Sequence, residues 1–234
     1  MKSNNQKLYA LAIVAHPDDE SFLLAGTSLK FAEEGKTVGV YCATRGEKGA
    51  DRLNRDLSES EMAQIRSLEL QNACNLLKCT CEFSTHGDGS LDNENFDALV
   101  NELVEKINQY RPSIILTFGD EGISGHRDHI AIGKATVAAC SLAARKPTEI
   151  WRASIPDSLI EDFQNHMEKR KVHHLHFIKK QLQGAPDEKL MRVDIKKYKD
   201  QKLKAIEAHQ SQHHPNVVWP TFLEYEYFEV IKSA

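Results

Sequence analysis

Short apolar runs alternate with segments of helical periodicity along most of this chain, and this alternation limits its fold more than any other feature. A capping-box pair, Ser58 and Glu61, predicts that one helix begins there and continues to about Leu77. Chains of this kind form a mainly parallel sheet with helices on both faces, so we predict an α/β fold. The predicted strands are Leu8–Ala15, Val38–Ala43, Cys81–Ser84 and Ile114–Phe118.

The second half of the chain is less regular. We expect a loop over Gly119–Gly125, a helix over Lys196–Gln210 with Asp194 as its cap, and a final edge strand over Tyr225–Ile231. Residues 152–193 carry no clear pattern. Because no repeat or linker-like composition divides the chain, we predict a single domain over residues 1–234.

The composition excludes several classes of partner. A formal net charge of -4 provides no basic surface for nucleic acid. No stretch approaches the roughly 20 apolar residues of a membrane span, and the apolar run Leu8–Ala15 is better explained as a buried strand than as a signal peptide. Five cysteines without a C-x-x-C pair indicate a reducing compartment, which we take to be the cytoplasm. The expected partner is a small molecule, with a homo-oligomer left open.

Two polar clusters follow predicted strands. Ala15–Glu20 comes directly after the first strand, and Gly125–His129 lies in the segment after Ile114–Phe118. In open α/β sheets, ligands bind at the carboxyl ends of the strands, so both clusters are expected at one rim.

Spacing within these clusters indicates a metal site. Residues three apart on a helical turn share a face, a spacing that His16 and Asp19 have, as do His126 and His129. Zinc binds imidazole nitrogen and carboxylate oxygen, and a catalytic zinc site uses three protein ligands and a water. His16, Asp19 and one histidine of the second cluster fulfil that count. Asp18 then lies close to the metal but free, as a general base requires.

Three motifs resemble the LmbE-like, PIG-L-type family of zinc-dependent de-N-acetylases. They are VAHPDDE over Val14–Glu20, HRDH over His126–His129 and IEAHQSQ over Ile206–Gln212. The resemblance implies a Rossmann-like fold and one Zn²⁺ per chain, although Fe²⁺ or Co²⁺ would also suit such ligands. The implied activity is removal of an N-acyl group, most often acetyl, from a small polar amine such as an N-acetylglucosamine conjugate.

The resemblance also implies residue roles. His16, Asp19 and His129 would be the metal ligands, and Asp18 would be the general base. His126, as an imidazolium, would stand beside the developing oxyanion, with Asp128 supporting it. Arg66 resembles a family arginine that reaches the substrate.

Three other interpretations of the sequence compete with a zinc-dependent hydrolase. A magnesium-dependent phosphotransfer site of the receiver type would leave the two histidines unused, since magnesium prefers oxygen ligands. A non-catalytic metal-binding module would not need Asp18. A dinucleotide-binding domain is disfavoured because the first turn lacks G-x-G-x-x-G.

The remaining histidines receive weaker assignments. We expect His173, His174 and His176 to have structural or surface roles rather than to bind metal, because no carboxylate lies among them. His209, within the third motif, is a candidate for the pocket entrance.

Overall fold

A computed structural model describes residues 7–92, 96–169, 182–212 and 218–232. His173, His174 and His176 lie outside these residues. Seven strands form one sheet in the order β3-β2-β1-β4-β5-β7-β6. The strands are β1 (Ala10–Val14), β2 (Val38–Cys42), β3 (Thr80–Phe83), β4 (Ile114–Phe118), β5 (Glu149–Ala153), β6 (Leu190–Asp194) and β7 (Tyr225–Lys232).

The first five strands are mutually parallel, which confirms the predicted mainly parallel α/β sheet. Every residue of β1, β2 and β4 is buried, as expected for parallel strands covered on both faces. The connecting helices are α1 (Asp19–Leu23), α2 (Ala25–Glu33), α3 (Glu59–Leu76), α4 (Phe96–Tyr110), α5 (Gly122–Gly125), α6 (Arg127–Leu142), α7 (Ile160–Lys169) and α8 (Lys199–Glu207).

The strand order creates a crevice between β1 and β4. The chain passes from β1 outward through β2 to β3, and then returns to place β4 on the other side of β1. Ligands of open α/β sheets bind at such a switch point. The segments that follow β1 and β4 are the two that carry the predicted metal ligands.

Local signals fixed the start of α3. The Ser58 hydroxyl accepts the Glu61 N–H at 3.3 Å, and the Glu61 carboxylate accepts the Ser58 N–H at 2.9 Å. The predicted capping box is therefore confirmed. This helix matters to the site because it carries Arg66 and Glu69 on its buried side.

The prediction of an edge strand over Tyr225–Ile231 is wrong in its position. Strand β7 lies inside the sheet, antiparallel to both β5 and β6. The edge strand is β6, within the segment whose sequence shows no clear pattern. The predicted helix over Lys196–Gln210 consists of a 3₁₀ turn, Lys196–Tyr198, followed by α8, and the Asp194 carboxylate accepts the Lys196 N–H.

A buried ion pair ties this C-terminal half to the N-terminal half. The Glu226 carboxylate accepts the N–H groups of Gly26 and Thr27 at the start of α2, each at 2.8 Å. The Lys202 ammonium donates to the same carboxylate at 2.7 Å, and its side chain is fully buried. No helix in the described ranges combines the length and apolar character needed to cross a bilayer.

Candidate metal centre

His16 follows β1, and its two ring nitrogens face different neighbours. Its Nε2 lies 3.0 Å from the Asp128 carboxylate and 3.1 Å from the Asp88 carboxylate. Its Nδ1 faces the other way, 3.2 Å from His129 Nε2. Because the carboxylates hold the proton on Nε2, the lone pair available to a metal is on Nδ1.

His129 lies in the first turn of α6 and is oriented in the same manner. Its Nδ1–H donates to the Gly122 carbonyl at 3.0 Å, so Nε2 presents its lone pair to the crevice. The ring stacks on Phe118, with centroids 4.2 Å apart. The segment expected to be a loop thus contains the short turn α5, where Gly122 and Ile123 adopt positive φ and aim the carbonyl at His129.

Asp19 completes the group from the first residue of α1. Its Oδ2 accepts the N–H groups of Ala15 and His16, at 3.1 and 2.8 Å. Its Oδ1 lies 3.2 Å from His129 Nε2. Burial alone would raise the pKa of this carboxyl, but the neighbouring histidines and these bonds hold it well below its usual range.

The three side chains predicted as ligands are therefore brought together. In a tetrahedral zinc site with bonds of about 2.0–2.1 Å, two ligand atoms lie roughly 3.3 Å apart. His129 Nε2 lies 3.2 Å from His16 Nδ1 and 3.2 Å from Asp19 Oδ1. The donor set of two imidazole nitrogens and one carboxylate oxygen fits a catalytic zinc-type ion. Two imidazoles also disfavour the magnesium alternative.

Asp18 is held in a strained conformation beside these ligands. Its φ of 124° is rare for a residue with a side chain and costs of order 1–3 kcal/mol. Its N–H donates to the Glu20 carboxylate at 3.1 Å, and its Oδ2 lies 3.3 Å from the Arg66 guanidinium. Burial raises the pKa of Asp18 to about 6, against the opposing charge of Arg66.

His126 caps α6 and contacts the rings of His16 and His129, the two histidines predicted as ligands. Its Nδ1 accepts the Asp128 N–H at 3.1 Å, which leaves the proton of the neutral ring on Nε2. Burial, together with the charges of His16 and His129, lowers the pKa of His126 to about 4. Burial therefore opposes the expected imidazolium, and the protonation state of His126 during the reaction stays a prediction.

The Asp128 carboxylate contacts His16, an interaction that the sequence did not predict. Its fully buried carboxylate accepts from His16 Nε2 at 3.0 Å and from the N–H groups of Gly89 and Leu91, at 2.7 and 3.0 Å. The backbone N–H of Asp128 donates to His126, and the negative charge of Asp128 opposes the fall in the pKa of His126, so the expected support of His126 stays a prediction. The side chain points towards the loop after β3, because that loop presents two backbone donors to it.

Asp88 belongs to the site, although its role was missed in the sequence. It occupies the glycine-rich turn after β3, at the same rim as the other clusters, and its Oδ2 accepts the Lys48 N–H. Glu47 in turn accepts the Asp88 N–H at 2.7 Å. A carboxylate at the end of a third parallel strand is the signal that could have identified it.

Arg66 and His209 point inward. Arg66 is 4% exposed and donates to the carbonyls of Gly46 and Pro17 as well as pairing with Asp18. Its contact with substrate stays a prediction. His209 is 1% exposed, which contradicts its candidacy for the pocket entrance. Burial opposes its protonation, but the Glu20 and Asp18 carboxylates outweigh burial and raise its pKa.

Comparison with known proteins places the chain among deacetylases. Residues 11–140 match the family described as "PIG-L: GlcNAc-PI de-N-acetylase". The chain is 30% identical to a probable N-acetyl-alpha-D-glucosaminyl L-malate deacetylase 2 of Bacillus cereus, over 87% of this chain and 83% of that protein. It is 33% identical to the mycothiol S-conjugate amidase of Streptomyces coelicolor over 59% of this chain, and spans about half (53%) of that relative.

A solved structure agrees in fold. The N,N'-diacetylchitobiose deacetylase of Pyrococcus horikoshii superposes with a TM-score of 0.72, covering 95% of this chain and 83% of the other, at 19% identity. At that identity, the similarity establishes the shared fold alone.

Proposed function

Because this chain belongs to the PIG-L family of GlcNAc-PI de-N-acetylases, we propose that it hydrolyses the acetamide of a small N-acetylglucosamine conjugate. The observation that carries the proposal is the convergence of His16 Nδ1, Asp19 Oδ1 and His129 Nε2, with the Asp18 carboxylate near enough to interact electrostatically with His16 and Asp19. A metal-binding module without catalysis would have no use for that additional carboxylate.

The proposed metal is Zn²⁺, held by His16, Asp19 and His129. When bound, it would supply Lewis acidity that lowers the pKa of water and polarises the acyl carbonyl. Fe²⁺ and Co²⁺ accept the same ligands, so the identity of the ion is part of the proposal.

The reaction consumes one water and releases acetate and a free amine. Asp18 accepts a proton from the attacking water, a role that suits a carboxylate whose pKa is raised to about 6. The Nε2–H of His126 donates to the oxyanion that forms as water adds to the carbonyl. Asp18 or His126 then delivers a proton to the leaving nitrogen.

The polar rim supports a sugar rather than a long acyl chain. The loop after β2 carries Glu47 and the exposed Lys48, and the segment after β4 carries Asp120 and Glu121. Sugar hydroxyls need such hydrogen-bonding partners, whereas an acyl chain needs an apolar pocket. Arg66 is proposed to contact a sugar hydroxyl or an anionic aglycone once substrate is bound.

The test is release of amine from two matched substrate series. Zinc-loaded and chelator-treated protein are assayed with N-acetylglucosamine conjugates and with long-chain N-acyl amino acids. We expect zinc-dependent turnover of the sugar series. Preference for the long-chain series would refute the substrate assignment, and equal turnover after complete metal removal would refute the metal-dependent mechanism.

A further inference from the structure

A buried cluster of charged and polar side chains lies directly behind the proposed general base. Glu20 and His209 are each 1% exposed, and Ser21 is fully buried. His209 Nε2–H donates to Glu20 Oε1 at 2.8 Å, and the Ser21 hydroxyl donates to the same oxygen at 2.5 Å. The second oxygen, Glu20 Oε2, accepts the N–H of Asp18.

This cluster contacts the backbone of Asp18 through Glu20. The positive φ of Asp18 is unfavourable, so neighbouring contacts must maintain it. The Glu20 carboxylate is one such contact, and it can orient Oε2 towards Asp18 only while Oε1 is fixed. Two donors fix Oε1, one of which comes from a distant part of the chain.

The distant donor is His209, and further hydrogen bonds hold the segment that carries it. Beyond His209, the N–H and hydroxyl of Ser211 each donate to the Glu69 carboxylate at 2.7 Å, which attaches the segment to α3. The carbonyl of Ser211 accepts the Arg52 N–H at 2.8 Å. Residues 209–212 belong to the third motif by which the chain resembles the family, although the family match itself ends at residue 140.

We infer that His209 is a positioning residue that acts through Glu20 to hold Asp18 in the orientation needed for catalysis. The inference rests on the proposed function, because it takes Asp18 as the general base. His209 does not reach the reacting atoms in this account. Its Nε2–H fixes Glu20, and Glu20 fixes the Asp18 backbone. Loss of that bond should lower kcat without loss of the metal.

A pair of substitutions separates the hydrogen bond from simple packing. In His209→Gln the side-chain amide can place a donor where Nε2 lies, whereas His209→Leu fills similar space without a donor. The other ring nitrogen, Nδ1, is buried and has no hydrogen-bond partner in the described part of the chain, so glutamine forfeits no second bond. Gln210→Ala, at the exposed neighbouring position, is the matched control.

For His209→Leu we expect kcat to fall about 10- to 100-fold, the size of effect that follows displacement of a catalytic group. KM and metal content should stay near wild type, and His209→Gln and Gln210→Ala should retain most of kcat. Equal loss in the Leu and Gln variants, or unchanged kcat in His209→Leu, would overturn the inference.

Amide hydrogen exchange gives a second readout that does not depend on activity. In the metal-free protein, exchange in a peptide covering residues 16–24 should accelerate in His209→Leu but not in His209→Gln. Exchange in α4 should not change. If wild type deacetylates no substrate, the proposed function fails, and the exchange comparison still tests whether His209 holds the segment. Unchanged exchange in His209→Leu would overturn the positioning role.

Discussion

Replacement of Asp128 by alanine is expected to weaken metal binding about 10- to 100-fold, because its carboxylate holds the His16 ring. The carboxylate is fully buried and accepts three hydrogen bonds, one from His16 Nε2 and two from the backbone of the loop after β3. Alanine removes all three acceptor contacts and leaves the Nε2 side of the His16 ring held by Asp88 alone among the two carboxylates.

The size of this loss in metal affinity follows from the hydrogen bond between Asp128 and His16. A hydrogen bond to a charged group contributes about 1.5–3 kcal/mol, and each 1.4 kcal/mol changes an equilibrium constant about tenfold. The Asp88 carboxylate, 3.1 Å from the same nitrogen, remains in the variant and should limit the loss. Asp128→Asn should fall between alanine and wild type, since its amide retains one acceptor oxygen where the carboxylate has two.

The assay is competition for Zn²⁺ against a chromophoric chelator, with circular dichroism to confirm the fold. Asp92→Ala is the control, because the charged contact that Asp92 makes with the described residues is a 3.5 Å surface pair with Arg127. Zinc affinity that is equal in Asp128→Ala and wild type would refute the proposed support of His16. Equal weakening in Asp92→Ala would show that the loss is not specific to the site.

Four further variants test other parts of the structure. Asp19→Ala should lose the metal, whereas Asp18→Asn should keep it and lose about 10²–10⁴-fold in kcat; a metal-loaded, active Asp18→Asn would exclude that base. His126→Ala should lower kcat about 10²–10³-fold with the metal retained, and normal turnover would remove His126 from the mechanism. Lys202→Met should destabilise the fold by about 3 kcal/mol in urea unfolding, because it leaves Glu226 buried without its cation; an unchanged midpoint would contradict this.

The parts of the fold that were predictable carry their signal locally. Strands β1, β2 and β4 are buried along their whole length, so each is a continuous apolar run in the sequence. The start of α3 was predictable because both members of its capping box lie within four residues. The rim that holds the site then follows from strand order.

Strand β6 gave no such signal. Its residues are half-buried or exposed except for Val193, so an apolar run is missing. Without β6, strand β7 was assigned to the edge. Which strands are neighbours is decided by packing between distant segments, and the antiparallel pairing of β7 with both β5 and β6 has no counterpart in local sequence periodicity.

The proposed ligands were predictable from local sequence, whereas the residues that support them were not. His16 and Asp19 were proposed as ligands from their spacing on one turn, and His129 from its place in a second motif. The spacing does not indicate which ring nitrogen of His16 would face the proposed metal. That choice depends on Asp88 and Asp128, which approach the Nε2 side from two other segments.

The orientation of His16 therefore depends on an arrangement of three loops. Asp128 reaches the ring only because the N–H groups of Gly89 and Leu91 fix its carboxylate. Asp88 reaches it because Lys48 and Glu47 hold the same turn from the opposite side. With both carboxylates on Nε2, the nitrogen directed at His129 and Asp19 is Nδ1. A change that loosened the turn after β3 would thus affect metal binding without touching any ligand, since rotation of one ring would exchange the two nitrogens.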